Sequence, residues 1–221
     1  MILLFSGGID SFIAYHWLEK PPTLYFNLHT PYSEKEMKVI KELIPDTIIE
    51  DCINLGTRQS GEKAYIPYRN LHLALLANKY SDKIVIAGLK DDMVDDKNKD
   101  VFAKWSFLMT TMTGRIIEVA SPFWHRTKED IVDWYINDYG GERRDLLKTI
   151  SCYSEEDTNY CGRCPACFRK WCVLVDNGIR LPFHNKKLSK EYYDRARNNY
   201  YLGERNRSII RAIVHHSTGV L

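Results

Sequence analysis

The chain has 221 residues, 44% of them apolar, and a formal net charge of +2. That length and composition suit one α/β domain with a modest appendage and argue against a disordered chain. No apolar run approaches the roughly 20 residues of a membrane span, and the N-terminus lacks the basic flank and apolar stretch of a signal peptide, so a cytoplasmic protein is expected.

In chain order, the apolar run Ile2–Phe5 ends in a glycine turn and predicts a buried strand. A helix follows, capped by Asp10 or Ser11, with Ile13, Ala14, Trp17 and Leu18 on one face and Pro21-Pro22 as its stop. Thr23–Leu28 predicts a second strand, Ser33–Leu43 a helix, and Thr47–Ile49 a third strand. Pro67 is expected to open a helix carrying Leu71, Ala74 and Leu75 on one side; Lys83–Gly88 is the clearest strand. Residues 90–100 are acidic and lysine-rich without periodicity, which predicts a loop. A helix over about 100–112, a fifth strand over Arg115–Val119, and a helix capped by Thr127 with Ile131, Val132 and Tyr135 complete the pattern.

Five alternations of strand and helix predict right-handed crossovers and a doubly wound five-stranded parallel sheet, with ligands at the carboxyl ends of its strands. Beyond about residue 145 the pattern changes to a cysteine loop and helices. The expected division is an α/β domain over 1–145 and a small helical subdomain over 146–221.

The turn Ser6-Gly7-Gly8-Ile9-Asp10-Ser11 suits a polyphosphate. Two glycines let the backbone approach a ligand, successive N–H groups form an anion nest, and the helix adds its positive end. Ser6 and Ser11 can donate hydroxyl hydrogen bonds; Asp10 would help hold a divalent metal or cap the helix. The Gly-Lys-Ser/Thr ending of nucleoside-triphosphatase loops is missing. Cys152, Cys161, Cys164 and Cys167 crowd into 16 residues, which favours metal ligation over disulfides. Four sulfurs without a nearby histidine indicate a closed structural zinc site, with an iron–sulfur cluster left open by spacing. Cys52 and Cys172 read as small buried hydrophobes.

The six-residue turn resembles the PP-loop of N-type ATP pyrophosphatases, whose fold is adenine nucleotide alpha hydrolase-like. Further strings follow: Ile66-Pro67-Tyr68-Arg69-Asn70, Ala87-Gly88, Pro122 with Thr127-Lys128-Glu129, Ser151-Cys152-Tyr153, and Cys161-Gly162-Arg163-Cys164-Pro165-Ala166-Cys167 with Arg169. In this order they resemble the 7-cyano-7-deazaguanine synthases of the queuosine pathway over roughly residues 1–180. The resemblance implies conversion of 7-carboxy-7-deazaguanine and ammonia to the nitrile, using ATP and magnesium and releasing AMP and pyrophosphate. It implies that Ser6, Gly7, Gly8, Ile9, Asp10 and Ser11 hold the pyrophosphate part of ATP. Catalytic candidates are Lys128, Arg69 and Asp10, the two cations for the transferring phosphate or the substrate carboxylate; the four cysteines bind zinc. Arg69 and Lys128 also read as ordinary cations at helix starts, a position that disfavours positive charge.

The family's Tyr-Pro-Asp-Cys-Arg string is absent from loop 90–100, where Asp95 or Asp96 stands for its aspartate. This leaves room for a relative that stops at the amide or joins the acid to another amine, such as a protein terminus. Residues 186–211 carry eight basic side chains against Glu191, Asp194 and Glu204. That is a solvated face, a homodimer contact, or a surface for a protein or nucleic acid partner, with Tyr192, Tyr193, Tyr200 and Tyr201 as base-stacking rings. A tRNA-thiolating enzyme would need a sulfur-handling cysteine near the ATP site, for which Cys52 is the loose candidate.

Overall fold

The structure, a computed structural model, describes residues 1–60, 65–154 and 158–216; residues 217–221, the end of the anticipated C-terminal subdomain, lie outside them. Five parallel strands, β1 (Ile2–Leu4), β2 (Thr23–Phe26), β3 (Ile48–Glu50), β4 (Lys83–Val85) and β5 (Glu118–Ala120), form one sheet in the order β3-β2-β1-β4-β5. The sheet is the expected one, and its order places β1 where the winding reverses, the usual site of a ligand crevice.

Alternation along the strands separates two apolar layers. Leu3, Phe5, Val85 and Ala87 face α1 (Ile9–Trp17), α5 (Lys128–Asp133) and part of α7 (Pro165–Asp176), with Ile40 and Ile44 contributed by α2 (Ser33–Leu43) and its end. Ile2, Leu24, Ile84 and Ile86 face α3 (Arg69–Ala77) and α4 (Lys99–Thr113). A third cluster joins α7 to α8 (Lys186–Arg197) and α9 (Gly203–His216) through Phe168, Trp171, Val175, Ala196, Ile209 and Ile213. Helix α7 serves two clusters, with Val173 and Leu174 in the first. A short α6 (Arg143–Lys148) precedes the cysteine segment.

Several boundaries differ from expectation. Neither Asp10 nor Ser11 caps α1: Gly8 is the N-cap, the Ser11 hydroxyl bonds back to Gly8 O at 3.1 Å, and Asp10 forms an ion pair elsewhere. Helix α3 starts at Arg69, not Pro67, because Tyr68 adopts a left-handed conformation; its buried face is Asn70, Ala74 and Ala77, and Leu75 is exposed. Strand β5 starts three residues late. Thr113 Oγ1 accepts the Arg115 N–H and Thr110 Oγ1 the Ile117 N–H, so those amides are bonded to side chains of α4. Thr127 caps α5 as expected, in a capping box with Asp130.

Thr127 is fully buried and its hydroxyl accepts the Asp130 N–H, so Thr127→Ala should cost about 1–2 kcal/mol, measurable by denaturant unfolding.

Candidate functional site

The carboxyl ends of β1, β2 and β4 open into a cavity of about 360 Å³. Its apolar wall is Leu24, Phe26, Leu28, Leu73 and Ile86; the rest is the glycine turn, a set of cations, and a corner with Glu36, Tyr32 and Tyr153.

The turn wraps the start of α1. Gly7 has φ +70°, which a side chain resists, and a Cβ there would lie 3.2 Å from Ile150 Cγ2 and Ile40 Cγ1. The first helical bond is Phe12 N–H to Gly8 O, so the N–H groups of Ile9, Asp10 and Ser11 have no partner within the helix. Ser6 and Ser11 hydroxyls lie 3.4 Å apart. Ser6, Gly8, Ile9, Asp10 and Ser11 all line the cavity, an arrangement that can receive a phosphate chain.

Lys128 and Arg69 are brought to the same cavity. Lys128 Nζ lies 2.8 and 2.9 Å from the two Asp10 oxygens, bridging the first turns of α5 and α1. Arg69 forms no ion pair among the described residues, and its charge acts on the Glu36 carboxyl across the same cavity. The departed loop adds a third cation that sequence reasoning missed: Lys97 reaches the cavity and pairs with Asp92 at 2.9 Å. Burial opposes the Lys97 charge, but Asp92 and then Asp10 override it and raise its pKa. Of the two candidate aspartates, Asp96 accepts from Asn70 Nδ2 at 3.1 Å, whereas the Asp95 carbonyl accepts from Asn98.

Two further cations on α7 hold the walls. Arg169 donates to both Glu129 and Asp91, and Asp91 also accepts the Lys128 backbone N–H at 3.3 Å. Burial would push Glu129 up, but the Arg169 guanidinium holds it at about 2. Lys170, fully buried, donates to Thr149 O, to Thr149 Oγ1 at 3.0 Å and to Leu147 O at 3.2 Å; burial pulls its pKa down to about 7. The next residue, Ile150, donates its N–H to Gly7 O at 2.8 Å. Arg169 stands just after the Cys161–Cys167 string, visible without a role; Lys97, Glu36 and Lys170 carried no local signal.

Glu36, in the first turn of α2, accepts from Tyr25 O–H at 2.7 Å. It lies deep in the molecule yet opens to the cavity. Burial pushes its carboxyl up to about 7, against the opposing pull of the Tyr25 hydroxyl and the Arg69 charge.

The Sγ atoms of Cys152, Cys161, Cys164 and Cys167 lie within 4.8 Å of one another, with Cys161 and Cys167 at 3.8 Å. A tetrahedral ion with about 2.3 Å metal–sulfur bonds sets its sulfurs about 3.8 Å apart, so the cluster fits one zinc ion. A four-iron cluster would separate them further, one sulfur to each iron. Backbone N–H groups of Cys167 and Ser154 donate to Cys164 and Cys152 sulfurs at 3.4 Å, a support typical of metal-bound thiolates. Gly162, at φ +66°, makes the turn between the ligands.

Cys172 is buried as expected, but Cys52 is exposed and does not line the cavity. In the basic segment, Tyr192 and Tyr201 stack on each other at 6.1 Å and 9°; Tyr201 is buried in the third cluster and Tyr192 packs half-buried against it. Arg211 is bidentate to Asp176 at 2.7 Å, and Arg205 is drawn inward over Tyr201 and to Asp91 O. Tyr200 is exposed and Tyr193 half-buried. Among the described residues no helix is long and apolar enough to cross a membrane.

A family model described as "Queuosine biosynthesis protein QueC" matches residues 27–174. The matched span runs from the end of β2 into α7 and begins after the glycine turn. No curated protein matches the chain.

Two measurements follow from this geometry. Stripping the ion with a chelator, or Cys161→Ser, should lower the melting temperature by about 10 °C or more and release about one equivalent of divalent metal. The Glu36 carboxyl keeps its proton to about pH 7 when folded but loses it near 4.5 when unfolded. Its stabilising contribution is therefore full below pH 4.5 and lost as pH rises through 7. Thermal melts of Glu36→Gln should show a gain over the parent at pH 8 and almost none at pH 4.5.

Proposed function

The chain belongs to the QueC family of queuosine biosynthesis proteins, and we propose that it converts 7-carboxy-7-deazaguanine and ammonia to 7-cyano-7-deazaguanine at the expense of ATP. The observation that carries this reading is the convergence of an anion-receiving turn and the cations Arg69, Lys97 and Lys128 on one cavity.

A carboxylate resists attack by ammonia because oxide is a poor leaving group. The acid oxygen attacks the α-phosphorus of ATP, pyrophosphate departs, and an acyl adenylate forms. Ammonia adds to its carbonyl carbon, sheds a proton, and expels AMP with one carboxylate oxygen, leaving the amide. The amide oxygen attacks a second ATP; loss of AMP with that oxygen and of the nitrogen's protons gives the nitrile. Two ATP become two AMP and two pyrophosphates.

The chain's part is positioning and charge stabilisation. The amides of Ile9, Asp10 and Ser11 and the Ser6 hydroxyl hold the departing pyrophosphate. Lys128, held by Asp10, and Lys97, held by Asp92, offset charge growing on the phosphates. Arg69, without an ion pair among the described residues, takes the substrate carboxylate. A bound magnesium would shield the phosphate charge, and Asp10, the carboxylate at the turn, is the residue that would hold it. A zinc ion held by Cys152, Cys161, Cys164 and Cys167 would be structural, since four thiolates would leave it no open position.

The altered loop favours a second reading, that the chain stops at the amide or uses a larger amine, because Lys97 and Asp96 come from that loop.

Incubating the protein with ATP, 7-carboxy-7-deazaguanine and ammonium should yield the nitrile by mass, with AMP and pyrophosphate. Amide alone supports the second reading, and no product without another amine defeats the first. Ser6→Ala with Asp10→Ala should reduce pyrophosphate release by about 100-fold or more while the protein stays folded.

A further inference from the structure

We propose that Glu36, with the rings of Tyr32 and Tyr153, reads the guanine-like edge of the heterocyclic acid, its carboxylate accepting the ring N–H and the neighbouring exocyclic N–H. This rests on the reading of the substrate given above and assigns residues to a part of it that the phosphate turn and cations leave unexplained.

The corner has three properties that such an edge requires. First, a carboxylate has about four acceptor sites, and Tyr25 O–H occupies one on Oε2. Oε1 has no hydrogen-bond partner among the described residues, so two parallel donors can bond one to each oxygen, as a guanidinium does. Second, Tyr32 and Tyr153 have ring centroids 5.1 Å apart at 48°, and both line the cavity beside Glu36, giving a flat heterocycle an aromatic wall. Third, burial raises the Glu36 pKa, and the groups that oppose it are at hand: the positive end of α2, the Arg69 charge and the two incoming N–H donors each favour the ionised form.

The same chemistry excludes the base of ATP from this corner. The edge of adenine places an acceptor nitrogen beside its single amino donor, and that nitrogen would face a carboxylate oxygen. A guanine-like edge offers donor next to donor. The adenine ring is left the apolar wall of Phe26, Leu28, Leu73 and Ile86, which carries no charge to oppose it. Arg69 then receives the substrate's own carboxylate, and the heterocycle spans from Glu36 towards the phosphates.

The test is calorimetric binding, with a non-hydrolysable ATP analogue present, of 7-carboxy-7-deazaguanine and of its counterpart lacking the 2-amino group. The parent protein should bind the first roughly 10–100-fold more tightly, the worth of a charge-assisted hydrogen bond. In Glu36→Gln the preference should fall to about threefold or less, with ATP-analogue affinity reporting an intact nucleotide end. Retained preference in Glu36→Gln would overturn the role of Glu36. Equal binding of both acids by the parent protein would overturn it with no variant needed, even if the variant failed to fold. Failure of the parent protein to bind either acid would overturn the substrate reading as well, and is distinguished by that breadth.

Discussion

Four thiols within 4.8 Å of one another cannot all ionise without a cation between them, and the site depends on how that crowding is resolved. Two of the sulfurs, on Cys164 and Cys167, are the cap and first turn of α7. An ion bound there sets the start of the helix buried among both apolar clusters. From α7, Arg169 reaches Glu129 and Asp91, and so orients α5 and Lys128; Lys170 reaches Thr149, beside the Ile150 amide that bonds Gly7. The cysteine cluster lies outside the cavity wall apart from Cys152, yet both flanks of the glycine turn are tied to α7 through two side chains.

Charge in the cavity follows one logic. Lys128 and Lys97 each have a carboxylate partner, which lets them be buried at modest cost while keeping hydrogen-bonding capacity for a phosphate. Arg169 is consumed by two acids and serves as a strut. Arg69 is different: it stands at the start of a helix, where the dipole opposes it, without an ion pair among the described residues and with Glu36 as the carboxyl within its field. A cation held in that position is stabilised when an anionic ligand arrives.

The loop over residues 90–100 shows how a segment with no readable pattern can still be structured. Leu89 N–H donates to Asp92 at 3.0 Å, Lys90 N–H to Arg126 O at 2.9 Å, and Asp96 meets Asn70. Among residues 90–100 Lys97 lines the cavity, and it supplies positive charge from a stretch that reads as solvated acid and base.

The glycine turn, the four-cysteine spacing and the strand–helix alternation were legible in the chain because each rests on short-range physics. Backbone freedom, chelate spacing and side-chain period act over a few residues, and the sheet and the four-cysteine cluster appeared where they pointed, with Ser6, Gly8, Ile9, Asp10 and Ser11 at the cavity wall. The resemblance to a family was legible for the same reason, being carried by local strings. The partners were not. That Asp10 would pair with Lys128 and leave α1 to be capped by Gly8, that Cys52 would be exposed, and that Tyr201 would be buried under Tyr192 depended on residues up to 118 positions apart. Burial makes such pairings strong and sets which charges stay free, and burial is a property of the packed chain that no local pattern encodes.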